Sequence, residues 1–219
     1  MTHRFRVLVL FTLILVAPAL GAETLPLATT PESVGISSER LERLRAVMQE
    51  YADEGRVAGV VTYVARNGRV VHLEAAGMAD IGREMRTDTI FRMASQTKAL
   101  TSVAVMMLVE EGRVGLKDPV SRFIPAFEKT TVAVPSEGSS ADVVPGERAI
   151  TIRDLLTHTA GISYGEGPAR DQWEAAGIEG WYFADRDEPV SAVVERMAAL
   201  PMDAQPGERF VYGYNTDIH

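Results

Sequence analysis

The chain has 219 residues, 46% of them hydrophobic, with 22 Lys and Arg against 30 Asp and Glu for a formal net charge of −8, and it contains no cysteine. That apolar share suits a chain with a real core, and the missing cysteines exclude disulfides, thiol nucleophiles, lipidation at a cysteine and thiolate metal sites. The acidic balance argues against nucleic-acid partners, whose affinity rests on clustered Lys and Arg neutralising phosphates.

Residues 1 to 22 carry Arg4 and Arg6, the apolar run Val7 to Val16 and the small-residue stretch Ala17-Pro18-Ala19-Leu20-Gly21-Ala22. This is the pattern of a signal peptide. The run is shorter than the roughly 20 residues that span a bilayer. The expectation is cleavage after Gly21 or Ala22, no stable membrane anchor, and work in the periplasm or outside the cell.

Ser37 or Ser38 then caps an expected helix with Leu41, Leu44, Val47, Met48 and Tyr51 on one face, ended by Gly55. Val57 to Arg66 and Arg69 to Ala76 flank Asn67-Gly68, whose tolerance of positive φ predicts an antiparallel hairpin, packed on that first helix. Ala94 to Glu111 has helical spacing and little polar face, which predicts a helix buried on most sides, with Gly112 as its C-terminal cap. Residues 128 to 149, rich in Ser, Glu, Gly and Pro, read as a long surface loop. Ile150 to Thr159 reads as a short helix capped by Thr151, and Pro189 to Leu200 as another. Between them, Trp173, Trp181, Tyr182 and Phe183 suit a loop packing over a cleft. After Pro206-Gly207 the chain turns into Phe210-Val211-Tyr212, and it stops at His219 with no cap or stop signal, the pattern of a truncation. There is no internal repeat.

Ser95-Gln96-Thr97-Lys98 opens the most apolar of these helices. At i and i+3 the two side chains share a face with β-carbons roughly 5 to 6 Å apart. A serine hydroxyl needs a base to become a good nucleophile, and a lysine serves only if its pKa is lowered, which apolar burial favours. The positive end of the helix dipole favours negative charge developing at Ser95, and N–H groups there can serve an oxyanion. A plain capping serine is the competing reading. A rival nucleophile is Ser163 in Gly161-Ile162-Ser163-Tyr164-Gly165, which matches G-x-S-x-G. That motif needs a strand before it, a helix after it and a later acid and histidine. Here helical spacing precedes it, and the sole later histidine is His219. His3, His72, His158 and His219 have no metal-ligand spacing, and no phosphate loop is present, so neither metal nor cofactor is expected. His158, near a helix C-terminus, is expected to hydrogen-bond carbonyls.

The string Ile90-Phe91-Arg92-Met93-Ala94-Ser95-Gln96-Thr97-Lys98 resembles the nucleophile region of class C β-lactamases, family VIII carboxylesterases and D-alanyl-D-alanine peptidases. Leu116 to Val120, Ile152 to Gly161 and Pro206 to Tyr212 resemble three further landmarks of that superfamily, in its order. The resemblance implies an α+β fold of β-lactamase and DD-peptidase type, an antiparallel sheet of which only the first hairpin is present, beside a helical subdomain. Residues 23–219 would then be a partial domain lacking the C-terminal strands and helix. It also implies a site of Ser95, Lys98 and Tyr212, the tyrosine sharing a proton with the lysine and protonating the leaving group. Where the family usually has Asn two residues after that tyrosine, this chain has Tyr214, with Asn215 one place later. That departure tilts the expectation towards esterases. The implied function is a serine hydrolase working through an acyl-enzyme on an ester, a β-lactam or a peptidoglycan-like amide. D-alanyl-D-alanine carboxypeptidase activity is one alternative and a catalytically silent fragment another.

Overall fold

The computed structural model describes residues 24–136, 141–178 and 187–215. The signal-peptide segment, Trp181, Tyr182, Phe183 and His219 lie outside those residues. The chain divides into two compact units, residues 1–91 and 92–219.

In the first unit, helix α1 (Ser38–Asp53) begins where the Ser37 side chain accepts from the Arg40 N–H, as the capping serine predicts. Leu41, Leu44, Met48 and Tyr51 lie at helical spacing along α1, and Leu41, Leu44 and Tyr51 are half-buried, whereas Val47 is exposed. Strands β1 (Gly59–Arg66) and β2 (Arg69–Asp80) pair antiparallel from Gly59 opposite Gly77 to Arg66 opposite Arg69. Their turn is Asn67-Gly68 at φ 52° and 68°, the doubly positive pair that a tight hairpin demands. The helix packs on this hairpin, and β3 (Arg83–Glu84) extends the sheet beyond β2.

In the second unit, helix α2 (Thr97–Glu110) follows a 3-10 turn over Ala94–Gln96. The expectation of a helix buried on most sides is corrected here. Val105 is its one buried residue, while Leu100 and Val103 are each 60% exposed and Met106 and Met107 also face outward. An all-round apolar sequence announces a demand for burial without supplying the partners, and the described residues cover only the side carrying Val105.

The expected loop over 128 to 149 is likewise corrected. Strands β4 (Thr131–Val134) and β5 (Asp142–Pro145) pair antiparallel within it, and Met202 bridges to Val132 on the other side of β4. The β-branched residues Val132, Val134, Val143 and Val144 outweighed the loop-like composition around them. Helix α3 (Ile152–Leu156), helix α4 (Arg170–Ala175) and helix α5 (Val190–Ala198) complete the unit. Its core gathers Phe127, Ile150, Leu155, Ile162, Trp173 and Met197. Trp173 is fully buried and its indole N–H donates to Pro201 O at 2.8 Å, so it is a core residue on α4 and no part of a cleft loop.

A buried carboxylate organises this unit. Asp154, the third residue of α3, closes a capping box with Thr151: its Oδ2 accepts from the Thr151 N–H at 2.8 Å and the Thr151 hydroxyl at 2.6 Å. Arg148 grips the same carboxylate with two nitrogens at 2.6 and 2.9 Å, and the Thr159 hydroxyl adds a bond at 3.2 Å. Burial alone pushes the Asp154 pKa up, but these hydrogen bonds and the Arg148 charge outweigh it and hold the group at about 2. Because the folded value lies below the unfolded one, the stabilisation is complete above pH ~4 and is lost as pH falls from ~4 to ~2.

Two outcomes follow from that linkage. Asp154→Asn should cost about 2 kcal/mol in urea unfolding at pH 7. The thermal midpoint of the unsubstituted protein should fall between pH 4 and 2 by an increment that Asp154→Asn lacks; parallel pH curves would contradict it.

Candidate active site

Ser95 lies in the 3-10 turn that leads into α2, exposed at the helix entrance, and Lys98 is half-buried in the first turn of α2. The residue before the serine, Ala94, has φ 44°. A left-handed conformation costs a non-glycine residue about 1–2 kcal/mol, and strain of this kind gathers where a side chain must be presented at a fixed angle.

Tyr212 arrives on the segment after the Pro206-Gly207 turn, which is not a strand. Two backbone bonds set its position, from Gly207 N–H to Thr159 O and from Val211 N–H to His158 O, both at 2.7 Å. Thr159 is in turn held by Asp154, so the buried carboxylate reaches the tyrosine through one stretch of main chain. The result brings the Lys98 ammonium 5.5 Å from the centre of the exposed Tyr212 ring. Lysine and tyrosine, 114 positions apart in the sequence, thus meet in one site, the lysine a single helical turn from Ser95.

Ser163 does not join them. It is buried, and its Oγ accepts from the Gly165 N–H at 3.0 Å, a bond that closes its own loop. The element before it is α3, and α4 does not begin until Arg170, so the strand-turn-helix context of a nucleophile elbow is absent.

A residue that no sequence pattern singles out does join them. Lys98 Nζ donates to the Tyr164 hydroxyl at 3.4 Å, and the Tyr164 ring stands edge-on to Tyr212 with centroids 5.8 Å apart. The loop carrying Tyr164 is wedged in place. Gly213 passes so close that a Cβ there would lie 2.5 Å from Ile162 O and Ser163 Cα, which only glycine permits. On the loop's far side Asp203 Oδ1 accepts from the Ala169 N–H at 2.8 Å, and the Asp203 N–H donates to Gly161 O at 2.8 Å.

Tyr214 and Asn215 turn inward. Tyr214, 3% exposed, stacks on Trp173 and meets Tyr164 edge-on at 4.7 Å. Asn215 is fully buried, and its Nδ2 donates to Ile162 O at 2.8 Å and Val211 O at 3.1 Å and faces His158 Nδ1 at 3.1 Å. Its amide therefore staples main chain and is directed away from the lysine. The His158 ring, expected to meet carbonyls, faces this amide and packs 4.7 Å from the Tyr212 ring. Among the described residues no group of three carboxylates or imidazoles is arranged to hold a metal ion.

Comparison with known proteins gives this arrangement a family. The Beta-lactamase family profile matches residues 44–217. Esterase EstB of Burkholderia gladioli is 36% identical over 180 residues, which cover 80% of this chain and 43% of EstB. A putative D-alanyl-D-alanine carboxypeptidase of Salmonella typhimurium is 29% identical over 199 residues, covering 85% of this chain and 42% of that protein. Among solved structures, EstCE1, described as a hydrolase with promiscuous acyltransferase activity, aligns with a TM-score of 0.68 and 32% identity over 82% of this chain and 45% of its own. The chain thus spans less than half the length of these relatives. The match over most of the chain, with the family's landmarks in order, means that this chain belongs to the Beta-lactamase family.

Proposed function

We propose that the protein is an exported serine hydrolase, with an ester as its preferred substrate, and that Ser95, Lys98 and Tyr212 carry the reaction. The observation that carries this is the convergence of the Lys98 ammonium on the Tyr212 ring, one helical turn from an exposed serine. Ser95 Oγ attacks the carbonyl carbon as its proton passes to Lys98 and on to Tyr212. Collapse of the tetrahedral adduct breaks the bond to the leaving alkoxide, which takes the proton from the Tyr212 hydroxyl and departs as an alcohol. Water then attacks the acyl-enzyme, loses its proton along the same route, and releases the acid and free Ser95. Residues 1 to 22 direct the chain to the periplasm or beyond the cell, in keeping with their signal-peptide pattern.

An ester is favoured over a β-lactam or a peptidoglycan-like amide because of the residues after Tyr212. Tyr214 turns into the core, and the Asn215 amide is spent on two carbonyls, so neither offers a side-chain amide to a substrate. The similarity to EstB supports the same choice.

The test is pre-steady-state hydrolysis of p-nitrophenyl butyrate by the whole protein, set beside turnover of a chromogenic cephalosporin. A burst equal to the enzyme concentration is expected on the ester. Ser95→Ala should abolish it, and Tyr212→Phe should slow it about 10²–10⁴-fold. A burst that survives in Ser95→Ala, or vanishes in Ser163→Ala through loss of acylation in a folded protein, would refute the assignment. Faster turnover of the cephalosporin than of the ester would move the substrate to the lactam class.

A further inference from the structure

Resting on the site proposed above, we infer that Tyr164 is a positioning residue for that reaction. Its hydroxyl fixes the amine of Lys98, and the aromatic ladder Trp173–Tyr214–Tyr164 is the rigid mount that holds the hydroxyl there.

The ladder starts in the deepest part of the unit. Trp173 is fully buried and tied at its indole nitrogen to Pro201 O, so neither its ring plane nor its depth is free to vary. Tyr214 lies on it in a nearly parallel stack, the planes 6° apart and the centroids 6.2 Å apart. Tyr164 meets Tyr214 edge to face at 89°, a geometry that the ring quadrupoles favour. From there the Tyr164 hydroxyl emerges beside Lys98 Nζ, while its ring stands against Tyr212.

A lysine side chain has four rotatable bonds and about 2 kcal/mol of rotamer entropy. Left to itself, its amine would spend little time where a proton can pass between Ser95 and Tyr212. The face of the Tyr212 ring attracts the ammonium without fixing it in direction, since cation–π attraction is broad in angle. A hydroxyl that accepts a hydrogen bond adds the missing direction. The two aromatic neighbours of Lys98 therefore have different roles, since Tyr212 exchanges the proton and Tyr164 aims the amine.

The main chain supports the same division. The Tyr164 loop is pinned by Asp203 on one flank and by the close passage of Gly213 and the Asn215 amide on the other. Tyr212 lies on the very segment that does the pinning. Any shift of Tyr164 therefore moves with Tyr212, which keeps the two hydroxyl-bearing rings in register around one amine.

Tyr164→Phe isolates the hydroxyl, because phenylalanine keeps the ring that packs on Tyr214 and Tyr212. The experiment compares the unsubstituted protein, Tyr164→Phe and Ser95→Ala by stopped-flow acylation with p-nitrophenyl butyrate, alongside KM and thermal midpoint. Tyr164→Phe is expected to slow acylation about 10-fold or more, with KM within twofold and the midpoint unchanged, while Ser95→Ala acylates not at all. If Ser95→Ala is silent but Tyr164→Phe acylates at the unsubstituted rate, the role of Tyr164 is overturned and the Ser95 site stands. A loss in Tyr164→Phe accompanied by a fallen midpoint or a raised KM overturns the positioning role in favour of simple packing. Absence of a burst in the unsubstituted protein, or a burst retained in Ser95→Ala, overturns both.

Discussion

The second unit depends on one carboxylate. Asp154 is buried with ionised oxygens that must be satisfied, and the groups that satisfy it come from separate segments. Thr151 starts α3, Arg148 leads in from the β5 side, and Thr159 begins the chain's approach to Tyr164. A buried charge is costly unless its hydrogen bonds are complete, so these segments are not free to drift independently. Thr159 O and His158 O then receive the Gly207 and Val211 N–H groups, which sets the path of the segment bearing Tyr212. Two stretches that resemble family landmarks in sequence are thus one hydrogen-bonded structure in space.

The candidate site has two walls made by different means. One is local: Ser95 and Lys98 are three residues apart, and a single helical turn is enough to align them. The other is wholly non-local, since Tyr164 and Tyr212 reach the lysine only because loop 161–169 is clamped between Asp203 and the Gly213–Asn215 segment. Strain at Ala94 belongs to the first wall, and dense core packing around Trp173 and Tyr214 belongs to the second. Chemistry that needs a proton handed between an amine and a phenol requires both walls at once.

The departure from the family pattern after Tyr212 has a structural account. Tyr214 fills space against Trp173 and Tyr164, and Asn215 staples the chain to Ile162. The position that faces Lys98 from that side holds the phenol of Tyr164.

Much of this was legible in the sequence. Asn67-Gly68 announced its hairpin, Ser37 and Thr151 their helix starts, and Ser95 with Lys98 their shared face, because each depends on residues within a turn or two of one another. The strands hidden at 131–134 and 142–145 were not, since four-residue strands flanked by Ser, Gly and Pro carry little local pattern and are stabilised by pairing with each other and with Met202. Nor was the outward face of α2, because apolar composition states a preference for burial without naming what meets it. Tyr164 was invisible for the strongest reason: it sits inside a motif that pointed to its neighbour Ser163, and its hydroxyl acquires a partner 66 residues away only when the loop folds back. By itself the sequence determined the local elements, the nucleophile pair and the family landmarks, all short-range patterns. The tertiary structure alone decided which tyrosines flank the lysine and which asparagine is buried, because those choices rest on contacts between segments distant in the chain.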